Sequence, residues 1–423
     1  MPHVCILGAG LAGLTAAIEL QRLGAAVTIV DAADAPGGRV RTDNLDGRLV
    51  DRGFQVLLDA YPETRRLLDY HQLNLKPFYP GALVRHDGAF HRVADPWRKP
   101  VDAARGFLSP VATLADKARL LKLGLAIKSA DQDDLFRSHD QRTIDLLHDA
   151  NLSEIAVQRF FKPFFGGVFF DRSLQTSSRM FRFTFKMFAS GRACVPARGM
   201  QRIPDQLVAR LDKAAFRLNE PAERVEPGRV ALASGETIDA DAVLLATDMD
   251  SAATLLADTQ HAAGLDAETR RGWNSTRTVV FAADEPPVGE PILLLDGDGA
   301  GPINHVAVMS NVSPHYAPDG DALIYCNTAE RPLLDGDDFL EQVRNQMADW
   351  FGDAATLWKH LDTVEVERAL PRSLPGSLDP DAKQPRLDDR LFLAGDYRHD
   401  PSINGAMASG RRAAAAVAAV DHA

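Results

Sequence analysis

Residues 3–34 read HVCILGAGLAGLTAAIELQRLGAAVTIVDAAD, and the glycine spacing within them decides the fold class. Apolar runs from Val4 to Leu7 and from Val27 to Val30 suit two short buried strands, and the residues between them suit an amphipathic helix. Gly8, Gly10 and Gly13 sit at the first strand-to-helix junction in the pattern G-x-G-x-x-G. In that pattern the first glycine permits the turn, the second lets a pyrophosphate approach the backbone, and the third lets helix and strand pack closely. Asp31 ends the second strand 18 residues after Gly13, where a carboxylate can accept a ribose hydroxyl. Strand, glycines, helix, strand and acid together predict an α/β, Rossmann-like domain that binds a dinucleotide.

The continuation selects the dinucleotide. A nicotinamide-binding domain would proceed through further strand–helix units at short spacing. Residues 35–57 instead read APGGRVRTDNLDGRLVDRGFQVL. Gly37, Gly38 and Arg39 follow the second strand, Asn44 to Gly47 turns the chain, and Asp51, Gly53, Phe54 and Gln55 form a second small-residue approach. Arg39 can neutralise pyrophosphate charge and Gly53 can admit a flat ring, which suits a longer cofactor than NAD.

Near the other end, the chain reads LFLAGDY from Leu391 and SINGAMASGRRAAAAV from Ser402. With GAGLAGL, APGGRVRT and DRGFQV, these segments resemble the flavin amine oxidase, phytoene desaturase and protoporphyrinogen oxidase superfamily, and they bracket nearly the whole chain. The SINGAMASG form is most similar to the desaturase branch. The resemblance implies non-covalent FAD in an extended form. Gly8, Gly10, Leu11 and Ala12 would meet the pyrophosphate, and Asp31 with Ala32 the adenosine ribose. Gly38, Arg39, Gly53, Phe54 and Gln55 would lie near pyrophosphate and flavin. Gly395 and Asp396 would meet the ribityl-pyrophosphate region. The helix starting at Asn404, Gly405 and Ala406 would direct its positive end at the flavin pyrimidine edge, favouring reduction. Residues 214–249 read as strand, turn, strand, turn, strand returning to the cofactor domain, with Ala222, or Val225 in a shifted register, against adenine.

These expectations divide the chain into a discontinuous FAD-binding domain (1–75, 195–250 and 385–423) and an inserted substrate or lid domain of mixed sheet plus helices (76–194 and 251–384). Within the insert, GALVRHDGAFHRV (81–93) is a hairpin turned by Asp87-Gly88. Residues from about 97 to 193 read as helical, four strand-like runs lie between 273 and 330, and a helix follows around 339–352. The segment RFFKPFFGGVFFD (159–171) carries six phenylalanines, which suit either core packing or an apolar substrate tunnel.

Amine oxidases of the superfamily carry a lysine by flavin N5 and an aromatic cage. Here Arg277 or Thr278 falls at the lysine position, and Asp400-Pro401-Ser402-Ile403 stands where a cage aromatic is expected. The resemblance therefore points to hydride removal from a C–H bond of a small apolar substrate, isoprenoid or tetrapyrrole-like, to flavin N5. Oxygen, a quinone or another electron acceptor would complete the cycle. The alternatives are an amine oxidase and, from another class, a non-redox carrier like the prenyl-binding escort proteins. Arg398 and His399 flank the Gly395-Asp396 motif, within reach of substrate or as solvated loop residues.

Composition narrows the partners. A net charge of −11 argues against nucleic acid binding. Cys5, Cys194 and Cys326 are far apart, with no metal-ligand spacing or disulfide framework, which fits the cytoplasm, no metal site and no thiol-linked flavin. The apolar start lacks the basic flank of a signal peptide, and no uncharged run reaches the roughly 18 residues of a membrane span. A peripheral membrane contact stays open.

Overall fold

The computed structural model describes residues 1–106, 109–211, 215–379 and 383–420. Its organising element is a six-stranded sheet in the order Ala215–Arg217, Ala26–Val30, His3–Leu7, Ala242–Leu245, Leu391–Leu393, Arg386–Asp388. The first five strands are parallel and the last is antiparallel. Strands from the start, middle and end of the chain thus interleave, and Gly8, Asp31, Ala246 and Ala394 all follow carboxyl ends on one edge. In an open parallel sheet that edge is where ligands bind. Helix Leu11–Arg22 packs against the C-terminal helix Ile403–Val420 so closely that a Cβ on Gly410 would lie 2.1 Å from the Ala12 carbonyl oxygen.

A second sheet of seven strands is built from the rest of the chain. Its order is Lys359–Pro371, Trp273–Ala283, Ala322–Asn327, His305–Val308, Leu293–Asp296, Gly81–His86, Ala89–Ala94. Only Leu293–Asp296 and Gly81–His86 pair in parallel, so this is the expected mixed sheet. Asp87 and Gly88 both have positive φ (50° and 74°), as a two-residue hairpin turn requires. Helix Gly336–Phe351 covers one face with Phe339, Val343, Met347 and Trp350, burying Cys326 beneath it. Between residues 97 and 193 the helices include Leu114–Ser129, Lys162–Phe169 and Ser178–Ser190.

Two differences from the sequence reading stand out. Residues 215–245 form five short strands rather than three, of which Ala222–Glu226, Arg229–Leu232 and Thr237–Asp239 make a separate antiparallel sheet. The strand Lys359–Pro371 was not anticipated. It is an edge strand whose Val364-Glu365-Val366-Glu367 alternation is diluted by charge, and charged side chains are a common protection for sheet edges.

Asp51 joins the two halves. Its carboxylate, fully buried, accepts bonds from Thr42 Oγ1 (2.5 Å), the Met200 amide (2.9 Å) and Tyr316 Oη (2.7 Å). Burial outweighs these bonds and pushes its pKa up to about 6. A carboxyl group that keeps its proton longer when folded stabilises fully below its unfolded pKa, near 3.8, and loses that contribution as pH rises through 6. The advantage of wild type over Asp51→Asn should shrink by up to about 3 kcal/mol between pH 4 and 6 and then stay level. Thermal unfolding of both proteins across that range checks it, and an advantage that grows with pH contradicts the assignment.

Candidate active site and family

The three fingerprint glycines are needed for three different reasons. Gly8 has φ +108°, and a Cβ there would lie 2.7 Å from the Ala246 carbonyl oxygen. A Cβ on Gly13 would lie 1.9 Å from the Gly8 carbonyl oxygen, so the helix–strand crossing excludes it. Gly10 differs from both. Its φ of −74° and ψ of 179° suit any residue, and nothing lies within 4 Å of a Cβ built on it. That open space belongs to a cavity of about 1070 Å³ between the two sheets.

Of the residues singled out in the sequence, Gly8, Gly10, Leu11, Ala12, Asp31, Ala32, Gly38, Arg39, Gly53, Phe54, Gln55, Ala222, Gly395, Asp396 and Ala406 line this cavity. Val225, the alternative to Ala222, is on the same strand of the small antiparallel sheet but is buried in the core. Asp31 does more than face the cavity. Its Oδ2 accepts from the Ala9 amide (2.6 Å) and its Oδ1 from the Ala33 amide (2.8 Å), so it ties the glycine turn to the end of the second strand.

Arg39 links both ends of the chain. One Nη pairs with the Asp396 carboxylate at 2.8 Å, the other donates to the Ala369 carbonyl at 2.9 Å, and the Trp273 ring centroid lies 5.5 Å from the guanidinium. Asp396 is buried, so the pair holds the Gly395-Asp396 turn against the Gly37-Gly38-Arg39 loop.

Asn404 and Gly405 are not where the sequence reading put them. The cavity is lined by Ser402, Ile403 and Ala406. Successive helical residues are rotated by about 100°, so Ile403 and Ala406 share a face that Asn404 and Gly405 do not. Asn404 Oδ1 instead accepts from the Glu63 amide at 3.1 Å. The Gly405 amide donates to Ser402 Oγ at 3.0 Å, and a Cβ on Gly405 would meet the Asp400 carbonyl oxygen at 1.9 Å. Arg398 and His399 also lie off the cavity wall. Arg398 donates to Glu268 (3.0 Å), and His399 Nδ1 lies 2.7 Å from Asp400 Oδ2.

The cavity wall also carries aromatic and aliphatic side chains, Phe164, Phe169, Phe170, Phe188, Met180 and Leu293 among them. The phenylalanine cluster is divided between core and cavity wall. Phe161 and Phe165 are core, whereas Phe164 and Phe170 line the cavity. Arg277 points the other way. It is 4% exposed, pairs with Asp335 and Glu365, and sits over the Phe339 ring, while its neighbour Thr276 faces the cavity as strand alternation requires. No lysine lines the cavity among the described residues.

Several lining residues gave no warning in the sequence. Val366, Arg368, Ala369 and Leu370 come from the unforeseen strand, Tyr61 and Thr184 from helical neighbourhoods, and His305 from a buried strand. His305 packs edge-on against Phe54, with ring centroids 5.0 Å apart.

The sequence model of the flavin containing amine oxidoreductase family matches residues 11–418. The chain belongs to that family. It is a flavin oxidoreductase with the α/β fold expected of one. A protein named probable zeta-carotene desaturase from Synechococcus elongatus is 25% identical, over 98% of each chain. Coproporphyrinogen III oxidase from Propionibacterium freudenreichii is 26% identical, over 79% of this chain and 74% of that one. A hydroxyneurosporene desaturase from Cereibacter sphaeroides is 40% identical, but over only 20% of this chain and 18% of its own. Among solved structures, putrescine oxidase bound to putrescine superposes with a TM-score of 0.71 at 17% identity over 99% of both chains. An oxidoreductase from Methanosarcina mazei gives 0.73 at 16% identity, over 96% of this chain and 98% of that one. At such identities the structural likeness concerns the fold. Among the described residues no helix is long and apolar enough to cross a membrane, and no cluster of three or more His, Cys, Asp or Glu suits a metal ion.

Proposed function

We propose that this flavin enzyme binds FAD non-covalently along the glycine-lined wall of the cavity and oxidises an apolar organic molecule held against its aromatic wall. The observation carrying the proposal is the cavity's mixed lining, with Gly10, Asp31 and Arg39 supplied by the parallel sheet and its loops and Phe164, Phe170 and Leu293 by the segments that build the helices and the second sheet. The residues fit the cofactor. Gly10 leaves room for an occupant that the fold itself does not require, and the start of an 18-residue helix borders the cavity, where its amides favour negative charge. Non-covalent attachment is supported by the three cysteines, all buried and none on the cavity wall.

When bound, FAD supplies the acceptor for the electrons removed from the substrate. The chain's own residues orient and exclude. Arg39, held by Asp396 and Ala369, presents fixed positive charge to a diphosphate, and the phenylalanines keep water from the reacting bond. Cofactor binding is assigned to segments 1–75, 195–250 and 385–423 because they supply every strand of the parallel sheet, and substrate binding to 76–194 and 251–384, which supply the seven-stranded sheet. The amine oxidase reading expects a lysine on the cavity wall, and none lines it among the described residues, which favours an uncharged substrate of the kind suggested by the desaturase and porphyrinogen oxidase relatives. A reducing, cytoplasmic setting with a peripheral membrane contact belongs to the same proposal, motivated by the free thiols and by exposed Leu114, Leu121 and Leu125 on one helix.

Asp31→Ala should act twice. It leaves two turn amides unpaired, lowering the stability of the cofactor-free protein by about 1–2 kcal/mol, and it weakens FAD binding by roughly tenfold or more. Urea unfolding of the apo-protein and an FAD titration separate the two effects. The function itself is tested by adding apolar isoprenoids, tetrapyrroles and amines anaerobically to the flavin-loaded protein. Loss of the oxidised flavin's visible absorption with an apolar compound supports it, whereas reduction by amines alone refutes it.

A further inference from the structure

Among the residues lining the cavity, Arg52, Glu223, Thr254 and Arg368 are also exposed, whereas Phe164, Phe170 and Phe188 are half-buried. The exposed residues mark where the cavity opens to solvent. Arg368 crosses that opening. It comes from the edge strand Lys359–Pro371 of the second sheet and pairs with two carboxylates that follow the strand Ala242–Leu245 of the parallel sheet, Asp248 at 3.3 Å and Asp250 at 3.2 Å. Both carboxylates line the cavity as well.

The receiving side is held in place without Arg368. Asp248 caps helix Met249–Leu256, accepting from the Asp250 and Ser251 amides at 3.0 Å each and from Ser251 Oγ at 2.7 Å. Asp250 accepts from Trp273 Nε1 at 2.9 Å, and the same indole packs on the Arg39 guanidinium. The part free to swing is therefore Arg368, a long side chain left 51% exposed. One residue on, the Ala369 carbonyl takes a bond from Arg39, whose other partner is the buried Asp396. The two arginines thus tie the same walls together twice, Arg39 to a buried carboxylate and Arg368 to half-buried ones. Their charge balance separates their roles. Arg39 faces one carboxylate among the described residues and has charge to offer a diphosphate, whereas two carboxylates already match Arg368.

We propose that Arg368, Asp248 and Asp250 form a latch across the mouth of the cavity that sets how fast FAD enters and leaves without setting how tightly it binds; this rests on the FAD reading above. Exposed ion pairs are weak and screened by salt, so the latch opens readily and opens more often as salt rises. Breaking it frees the path in both directions, so uptake and release quicken together and the affinity stays level.

The probe is radiolabelled FAD. Its exchange for unlabelled FAD already on the protein reads release, and equilibrium dialysis of the apo-protein reads affinity. Arg368→Gln should speed exchange about fivefold and leave Kd within about twofold, while Arg368→Lys, which still reaches one carboxylate at a time, should speed it only about twofold. Asp250→Asn keeps an acceptor for Trp273 and should add nothing to Arg368→Gln in the double variant. Raising salt from about 0.05 to about 0.5 M should quicken exchange in wild type and not in Arg368→Gln, a readout that needs no comparison of folded stability. Exchange unmoved by Arg368→Gln overturns the latch. So does a Kd that weakens in step with release, because Arg368 would then hold the cofactor itself. A wild-type protein that takes up no FAD overturns the functional reading and the latch together, whereas FAD bound with an unaltered exchange rate overturns the latch alone.

Discussion

Gly10→Leu is expected to reduce FAD affinity by at least about a hundredfold while leaving the cofactor-free fold within about 0.5 kcal/mol of wild type. The backbone at Gly10 is ordinary for a side-chain-bearing residue, and a Cβ there meets nothing within 4 Å. Glycine at this position serves the occupant of the cavity and not the packing of the protein. Leucine would fill the space beside the first helix's N-terminus, where the diphosphate is proposed to lie. FAD titration of the variant and urea unfolding of its apo-form measure the two quantities. Equal affinity would place the cofactor elsewhere, and a large loss of apo stability would show that the fold also depends on this glycine.

Gly405→Ala should behave in the opposite way. Its new methyl group would sit 1.9 Å from the Asp400 carbonyl oxygen, and Asp400 is fully buried, so neither partner yields easily. Overpacking of this kind costs about 3 kcal/mol, which for a chain of this size lowers Tm by roughly 3–4 °C. The loss should be as large in the apo-protein as in the FAD-loaded form, because the clash lies on the helix face turned away from the cavity. A variant of normal apo stability whose flavin spectrum alone changes would return Gly405 to the cofactor-facing role that its sequence suggested. Thermal scans with and without FAD decide between the two.

The contrast between these two glycines shows what the sequence could reveal. The first βαβ unit was legible because backbone requirements at Gly8 and Gly13 are local, and spacing alone expresses them. The joining of the chain's two ends was legible only through resemblance, since nothing in LFLAGDY says that its strand will pair beside Ala242–Leu245. Errors arose where a rotation of one residue changes the outcome. Asn404 and Gly405 lie off the cavity face of their helix while Ile403 and Ala406 lie on it, and Arg277 points away from the cavity while Thr276 points in. A single-residue shift in strand register exchanges faces, and no composition argument fixes it.

Thr184 and His305 were missed for another reason. A threonine within a helix and a histidine in a buried strand are unremarkable in sequence. They join the cavity wall only because the helix Ser178–Ser190 and the strand His305–Val308 fold against it. The edge strand Lys359–Pro371 escaped because the charges suited to a solvent-facing edge obscure its alternation, yet it contributes Ala369, whose carbonyl orients Arg39.

The central claim, one non-covalent FAD in the cavity lined by both ends of the chain, is tested most directly by denaturing the purified protein and identifying what it releases. FAD should appear in the supernatant at about one per chain, leaving a colourless polypeptide, and Gly10→Leu purified in parallel should release almost none. Flavin that stays on the denatured chain would contradict non-covalent binding, and a protein that releases no flavin and takes up no added FAD would contradict the account as a whole.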